Sequence, residues 1–199
     1  KKYEIDFIIS PWDEKSVDFI ENNKLKVIKL ASIDTINFQF CEYIARKKIP
    51  TIASVGMCNF EQITQCYKIF KKNECPLMFM HCTSSYPCPI KDKNLNVIKV
   101  LKNLYDTEIG FSGHGIGIEG TVGAISLDSR VIEKHVTLSR KMSGPDQAAS
   151  LEFDELKELI KISNNVIKAM GSPFKKLEKS EIPLKDILTK RFIAIKDIN

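Results

Sequence analysis

The chain has 199 residues, of which 43% are hydrophobic, and this is enough apolar surface to build the core of one globular domain. Its formal net charge of +5 comes from lysines scattered along polar stretches, without a basic block interleaved with aromatic residues. No apolar run approaches the ~20 residues that span a bilayer, and the amino-terminal residues lack a signal-peptide core. The composition therefore predicts neither a nucleic-acid partner nor a membrane partner, and a cytoplasmic location is expected.

The six cysteines form no Cys-x-x-Cys pair and mostly lie among apolar neighbours, as small core residues do. They are Cys41, Cys58, Cys66, Cys75, Cys82 and Cys88. We interpret them as core residues, and their spacing does not favour a structural zinc site.

Short runs of β-branched and aromatic residues alternate with longer amphipathic runs, which predicts a parallel sheet with helices packed outside it. The predicted strands are 5–9, 27–31, 51–54, 77–80, 109–112 and 131–136. The predicted helices are 13–22, 37–48, 59–73, 95–105, 117–127 and 153–170. Six βα units in a row fit either an open doubly wound sheet or most of an eight-stranded barrel, and the count alone does not choose between them.

Two predicted helices begin with capping residues. Asp13 precedes the first helix, and Asn59 is followed three residues later by Gln62, which is the pattern of a capping box. After Gly171 the pattern changes to prolines and charges with little periodicity. The stretch 171–199 is therefore predicted to be a linker or an arm rather than a further βα unit.

Serine follows five of the six predicted strands, and the sixth strand ends with glutamate and histidine. The serines at these strand ends include Ser10, Ser32, Ser54, Ser84 and Ser112. In barrel enzymes the strand ends and the loops after them hold the active site, where repeated hydroxyls would donate to an anion such as phosphate. Any single serine is more often a turn or capping residue, so the repetition is what favours a binding site.

Lys29 lies inside the second predicted strand. Alternation places Lys29 on one face of the sheet and Ile28 and Leu30 on the face that packs on helices. A buried ammonium without a partner is costly, so we expect a bound anion beside it. The alternative is a structural ion pair with Asp34 or Glu133.

Two of the three histidines, His114 and His135, end two short apolar runs that flank a Gly-rich helical segment. If these runs form one βαβ unit, the two side chains meet at the same edge of a parallel sheet. Two neutral imidazoles there suggest a divalent metal site, and a pair of hydrogen-bonded polar residues fits this stretch equally well. His81 is expected to be a hydrogen-bonded core or surrounding residue rather than a third ligand.

Taken together, six blocks in this order and spacing resemble the sialic acid synthase family, which includes N-acetylneuraminate synthase and the legionaminic and pseudaminic acid synthases. The blocks are IKLAS with the following D and N, SVGM, HCTSSYPCP with NL downstream, GFSGH, VIEKHVT and GPD. The resemblance covers residues 6–170. It implies an α/β fold over 1–170, a partial TIM barrel of about six βα units with the first two strands missing before Lys1. It also implies that 171–199 is a linker leading to an absent antifreeze-like carboxyl-terminal domain.

The same resemblance implies a transferase of sialic acid biosynthesis. It would condense phosphoenolpyruvate with N-acetylmannosamine or a related acylated amino sugar, giving a nonulosonic acid and inorganic phosphate. A divalent cation is expected, manganese first and magnesium second, and the full-length protein is expected to be a homodimer. The alternative is a truncated or catalytically impaired homologue that binds phosphorylated ligands or pairs with a complete synthase.

Matched to the family's motifs, His114 and His135 would bind the metal. The positions matching the family's contacts to phosphoenolpyruvate are Lys29, Ser10, Ser32, Ser54, Ser84 and Ser112. Tyr86 and Asp146 match contacts to the sugar, although each could instead only pack or close a turn. The catalytic candidates are Lys29, Asp34 and Glu133, because a carboxylate near the enol carbon could stabilise positive charge or guide water there.

Three positions depart from the family's pattern. Val55 stands where threonine is usual, Gly113 where aspartate is usual and Gln147 where histidine is usual. The change at Gly113 removes a carboxylate next to a predicted metal ligand, which is expected to affect ligand orientation or substrate choice.

Overall fold

The computed structural model describes residues 3–190, 192, 193, 195 and 196. The chain divides into two compact units, with the boundary between Ala169 and Met170. In the first unit, one parallel sheet contains β1 (Ile28–Leu30), β2 (Thr51–Ser54), β3 (Leu77–Cys82), β4 (Ile109–Gly113) and β5 (Ile132–Lys134). Its strand order, β1-β2-β3-β4-β5, follows the sequence. A doubly wound sheet reverses its order at a switch point, so these strands form a curled half-barrel instead.

The first six helices lie close to their predicted positions. The helices are α1 (Glu14–Asn22), α2 (Phe38–Arg46), α3 (Phe60–Lys72), α4 (Val97–Leu104), α5 (Glu119–Ser126), α6 (Phe153–Met170) and α7 (Ile182–Leu188). Among the described residues, no helix is both long and apolar enough to cross a bilayer.

The predicted strand at 5–9 is wrong, and the sheet therefore has five strands rather than six. The run contributes one isolated bridge, between Ile9 and Ile28. Ile5 and Phe7 are 79% and 65% exposed, so these apolar side chains gain no burial that would hold the run in a ladder. At this bridge the Lys29 N–H donates a backbone hydrogen bond to the Ile9 carbonyl, at 3.2 Å.

The second unit contains α7, where the sequence predicted only a linker or an arm. The helix has 7 residues and carries Pro183 in its first turn. Proline fits there because the first N–H groups of a helix have no partner inside the helix. Charges and prolines around so short a segment left no helical periodicity to read from the sequence.

The core lies between the sheet and the helices, and it confirms the predicted alternation in β1. Ile28 and Leu30 are fully buried in the apolar cluster, whereas Lys29 between them is not part of it. Other members of the cluster are Ile20, Ile44, Ala53, Phe70, Phe79, Leu101 and Ile109. Full burial of a large apolar side chain contributes about 1.5–3 kcal/mol to stability. This cluster therefore fixes which face of each strand packs on the helices.

The cysteines and the helix caps also match their predictions. All six cysteines are free thiols; five are buried and Cys58 is half-buried. Asp13 accepts a hydrogen bond from the Ser16 N–H at 2.7 Å. Asn59 and Gln62 form the predicted capping box at the start of α3.

We expect Asn59→Ala to lower the free energy of unfolding by about 0.5–2 kcal/mol, because the substitution removes the side-chain acceptor of the α3 cap. Urea denaturation followed by circular dichroism measures the change. Asn96→Ala is the matched control, since Asn96 precedes α4 but makes no side-chain cap hydrogen bond. Equal losses in the two variants would show that the cap at Asn59 contributes nothing.

Candidate functional site

Parallel pairing brings the carboxyl ends of the five strands to one edge of the sheet, and a cavity of about 540 Å³ lies there. The strand register pairs Cys82 with Ser112 and Ser112 with Glu133, so these three residues form a row across β3, β4 and β5. The predicted site residues that line the cavity are Ser10, Lys29, Ser32, Ser54, Ser84, Tyr86, Ser112, His114, Glu133, His135 and Asp146. Residues from seven separate stretches of sequence thus meet in one place.

Asp34 is the predicted site residue that does not line this cavity. It lies in a 3₁₀ turn, Ser32–Asp34, directly after β1. Successive side chains of such a turn point in different directions, so Ser32 reaches the cavity and Asp34 does not. The Asp34 Oδ2 atom is buried without a hydrogen-bond partner, and burial raises the pKa of the carboxyl. Of the two predicted catalytic carboxylates, Glu133 is therefore the one at the cavity.

Lys29 supplies the positive charge in the cavity wall. Its Nζ atom donates to Ser54 Oγ at 2.8 Å and to the Leu30 carbonyl at 3.3 Å. The same atom lies 3.5 Å from Glu133 Oε2, which is one of the two ion pairs that the sequence left open. The Lys29 side chain is only 12% exposed, and two of its neighbours are neutral oxygens. Among the described residues, the carboxylate that pairs with this charge is Glu133, which also accepts a hydrogen bond from Ser112.

Glu133 links Lys29 to the second half of the cavity. Ser112 donates to Glu133 Oε1 at 2.7 Å, while Glu133 Oε2 faces Lys29. The Glu133 side chain is 39% exposed, so the carboxylate is open to the cavity and not sealed in the core. This arrangement lets one carboxylate interact with both the cation and an incoming ligand.

His114 and His135 meet as predicted, with ring centroids 5.3 Å apart. The Tyr86 ring packs against both, at 4.2 Å from His114 and 5.6 Å from His135. Burial lowers the pKa of both histidines, and His114 further lowers the pKa of His135. Both imidazoles are therefore neutral near pH 7, which leaves each ring one nitrogen lone pair.

The hydrogen bonds around His114 indicate which nitrogen carries that lone pair. His114 Nδ1 lies 3.2 Å from the Thr83 carbonyl oxygen, which can only accept, so Nδ1 carries the proton. Ser112 Oγ lies 3.4 Å from His114 Nε2 but donates its own proton to Glu133. The Nε2 lone pair is therefore available to a ligand.

These residues fit a divalent metal through their donor chemistry. His135 Nδ1 lies 3.8 Å from Asp146 Oδ2, a carboxylate that can orient the ring as partners of metal-bound histidines do. Within the described part of the chain, no group of three or more His, Cys, Asp or Glu side chains could hold a metal ion. A metal at His114 and His135 would thus take its remaining ligands from water or substrate oxygens.

His81 does not belong to this cavity, and its expected role as a hydrogen-bonded core residue is confirmed. Its side chain is buried, and Nε2 lies 2.7 Å from the Lys93 carbonyl oxygen. Burial lowers the pKa of His81, so the ring is held neutral and donates to that carbonyl.

Gly56 allows the serines to approach one another. A Cβ atom at Gly56 would lie 2.2 Å from Ser84 Oγ and 2.9 Å from Ser32 Oγ. The Gly56 N–H donates to Ser32 Oγ at 3.0 Å. The glycine of the SVGM block is therefore required by the spacing of two predicted ligand-binding hydroxyls, not by turn conformation.

Five residues of the cavity wall were not among the predicted site residues: Trp12, Ala31, Ile33, Met57 and Cys82. Trp12 and Met57 lie in the loops after strand-like runs, and they are 64% and 65% exposed. Met57 has a φ of 62°, which a sequence does not reveal because glycine is the usual residue in that conformation. Cys82, the last residue of β3, was grouped with the core cysteines.

Comparison with known proteins identifies the family. The profile of the NeuB family matches residues 1–175. The chain belongs to this family. The N,N'-diacetyllegionaminic acid synthase of Campylobacter jejuni is 38% identical over 201 residues, covering 100% of this chain and 60% of that protein. The mouse N-acetylneuraminate-9-phosphate synthase is 38% identical over 189 residues, covering 94% of this chain and 53% of that protein. The NeuB-family chain thus spans about half the length of the curated relatives it matches.

Solved structures show the same relationship. The NeuB-family chain matches the crystal structure of the N-acetylneuraminic acid synthetase of Leptospira borgpetersenii, in complex with citrate, with a TM-score of 0.87 and 32% identity. The match covers 94% of this chain and 67% of that one. A truncated 3-deoxy-D-arabino-heptulosonate 7-phosphate synthase of Thermotoga maritima matches with a TM-score of 0.73 at 14% identity, which supports the fold alone.

Proposed function

We propose that this NeuB-family chain contains the ligand-binding core of a nonulosonic acid synthase. The reaction would condense phosphoenolpyruvate with N-acetylmannosamine or a related acylated amino sugar and release inorganic phosphate. Relatives named as legionaminic, N-acetylneuraminate-9-phosphate and pseudaminic acid synthases support this class of reaction. The observation that carries the proposal is the meeting of Lys29, five serines and two neutral histidines in one cavity.

Lys29 and the serine hydroxyls would bind phosphoenolpyruvate. The Lys29 ammonium already donates to Ser54, and its charge is only partly compensated by Glu133. A phosphate or carboxylate oxygen beside it would form a charge-assisted hydrogen bond, which is stronger than a bond between neutral groups. The further donors are the hydroxyls of Ser10, Ser32, Ser54 and Ser84. The Ser112 hydroxyl donates to Glu133 and would contribute to this end of the cavity through that carboxylate.

The histidine end of the cavity would bind the sugar. His114 and His135 would hold a divalent metal, manganese first and magnesium second. When bound, the metal supplies Lewis-acid polarisation of the sugar aldehyde oxygen. Tyr86, which packs on both imidazoles, would place its ring against the sugar. Asp146 would accept a hydrogen bond from a sugar hydroxyl.

Glu133 is positioned between these two ends. Attack of the enol carbon of phosphoenolpyruvate on the aldehyde carbon would form the new carbon–carbon bond and break the aldehyde C=O π bond, whose electron pair goes to the sugar oxygen. That oxygen gains one proton, which balances the proton lost by the attacking water, and positive character remains on the phosphate-bearing carbon. The Glu133 carboxylate would stabilise this charge and take a proton from the water that adds there. Cleavage of the carbon–oxygen bond to phosphate then gives the 2-keto acid. Ser112 orients the carboxylate for this step through its 2.7 Å hydrogen bond.

Phosphate release from the full-length protein tests the proposal. With phosphoenolpyruvate, N-acetylmannosamine and Mn²⁺ together, we expect phosphate and a nonulosonic acid in equal amounts, and no phosphate when the sugar is omitted. A panel of acylated amino sugars extends the assay to other substrates. A protein that binds phosphoenolpyruvate but turns over none of them would contradict the synthase activity and favour the impaired homologue.

We expect Lys29→Met in the full-length protein to lower kcat/KM for phosphoenolpyruvate by an amount worth ~2–5 kcal/mol, because it removes the cation from the anion-binding end. Steady-state kinetics with varied phosphoenolpyruvate measures the effect. Lys26→Met is the matched control, since the Lys26 side chain is 79% exposed and pairs with Asp6 outside the cavity. A Lys29→Met variant that loses thermal stability but keeps its phosphoenolpyruvate dependence would make Lys29 only a structural partner of Glu133.

His114→Ala and His135→Ala should each weaken Mn²⁺ binding by ~100-fold or more, because loss of a ligand exceeds the ~10–100-fold effect of losing an outer hydrogen-bond partner. Isothermal titration of the full-length protein with MnCl₂ measures this without turnover. His81→Gln is the control, since it keeps an N–H donor for the Lys93 carbonyl and lies outside the cavity. Unchanged Mn²⁺ affinity in both alanine variants would remove the metal from this site.

A further inference from the structure

Cys82 has contacts that its burial among the core cysteines does not explain. It is 7% exposed and lines the cavity at the end of β3. Its Sγ atom lies 3.7 Å from Ser32 Oγ and 3.6 Å from Ser84 Oγ. The same sulfur lies 3.7 Å from His114 Nδ1. One thiol therefore contacts two hydroxyls of the anion-binding end and one imidazole of the metal-binding end.

These contacts can orient side chains as well as fill space. A thiol is a weak hydrogen-bond donor and acceptor, and sulfur contacts are longer than those of oxygen. The His114 Nδ1 proton, which points to the Thr83 carbonyl at 3.2 Å, has Cys82 Sγ as its second neighbour. The sulfur therefore supports the ring orientation that leaves Nε2 facing the ligand.

The Gly56 backbone limits the room around the sulfur on the side of the two serines. A Cβ atom at Gly56 would lie 3.0 Å from Cys82 Sγ. Strand register also fixes Cys82 beside Ser112, whose hydroxyl is bonded to Glu133. Hydroxyl hydrogen bonds span about 2.5–3.0 Å, so an oxygen at position 82 could not keep all three partners at their present spacing.

We propose that Cys82 is a positioning residue whose sulfur sets the spacing between the anion-binding serines and His114. This role rests on the proposed function, because it takes phosphoenolpyruvate and a divalent metal as the two ligands of the cavity. The thiol itself takes no part in bond making or breaking. It acts by holding Ser32, Ser84 and His114 in one arrangement, so the two ends of the cavity are coupled through a single atom.

The test compares Cys82→Ala with Cys75→Ala in the full-length protein. Cys75 is 5% exposed, its sulfur lies 3.3 Å from the Ile49 carbonyl oxygen and it does not line the cavity, so its substitution reports the loss of a buried thiol elsewhere. Titrations with Mn²⁺ alone and with phosphoenolpyruvate alone give the two binding constants, and thermal unfolding gives the stability. We expect Cys82→Ala to weaken both ligands by ~10-fold, the lower end of the range for outer partners of metal ligands. Cys75→Ala should leave both constants unchanged at a similar cost in stability.

Cys82→Ser is a second variant for the case in which the alanine variant does not fold. Because oxygen makes shorter contacts than sulfur, this substitution should also weaken the binding of both ligands. Unchanged binding constants in both Cys82 variants, or weakening of one ligand only, would overturn the coupling role. A loss of stability alone would make Cys82 an ordinary core thiol. A wild-type protein that binds both ligands without releasing phosphate would overturn the proposed synthase activity, while the binding constants would still decide the role of Cys82.

Discussion

The parallel register of the five strands is the constraint on which the rest of the site depends. Because all five strands run in one direction, their carboxyl ends lie at one edge, and the pairing places Cys82, Ser112 and Glu133 side by side. A slip of one residue in any strand would turn its polar side chains toward the apolar cluster. The burial of Ile28 and Leu30 in that cluster prevents such a slip in β1, and thereby holds Lys29 toward the cavity.

The charges of the site follow from this geometry. Lys29 is nearly buried and is held by Ser54 and Glu133, which offset part of its desolvation without neutralising the cavity. At the other end, burial keeps His114 and His135 neutral. The cavity therefore combines a cationic end with an end that offers nitrogen lone pairs, and Glu133 reaches both.

The three departures from the family's pattern lie outside the wall of this cavity. Val55 is buried in the apolar cluster, and Gln147 begins a 3₁₀ turn. At Gly113 a Cβ atom would point to Phe111 and to the aliphatic part of Lys134, at 2.8 and 3.4 Å. With no carboxylate there, Lys134 donates to the Gly115 carbonyl at 2.7 Å, and burial lowers its pKa to about 8. The departures thus change the surroundings of the site and leave its lining in place.

The sequence by itself determined the alternation of strands and helices, the inward face of β1, the helix caps and most of the residues that line the cavity. Periodicity, capping chemistry and family motifs are local patterns, and local patterns are readable along one chain. Only the tertiary structure decided that residues 5–9 form a single bridge, that Asp34 turns away from the cavity, and that Cys82 faces it. Each of these outcomes depends on a neighbour distant in sequence. A strand needs a partner and burial, and the surroundings of a side chain depend on how its turn or strand packs.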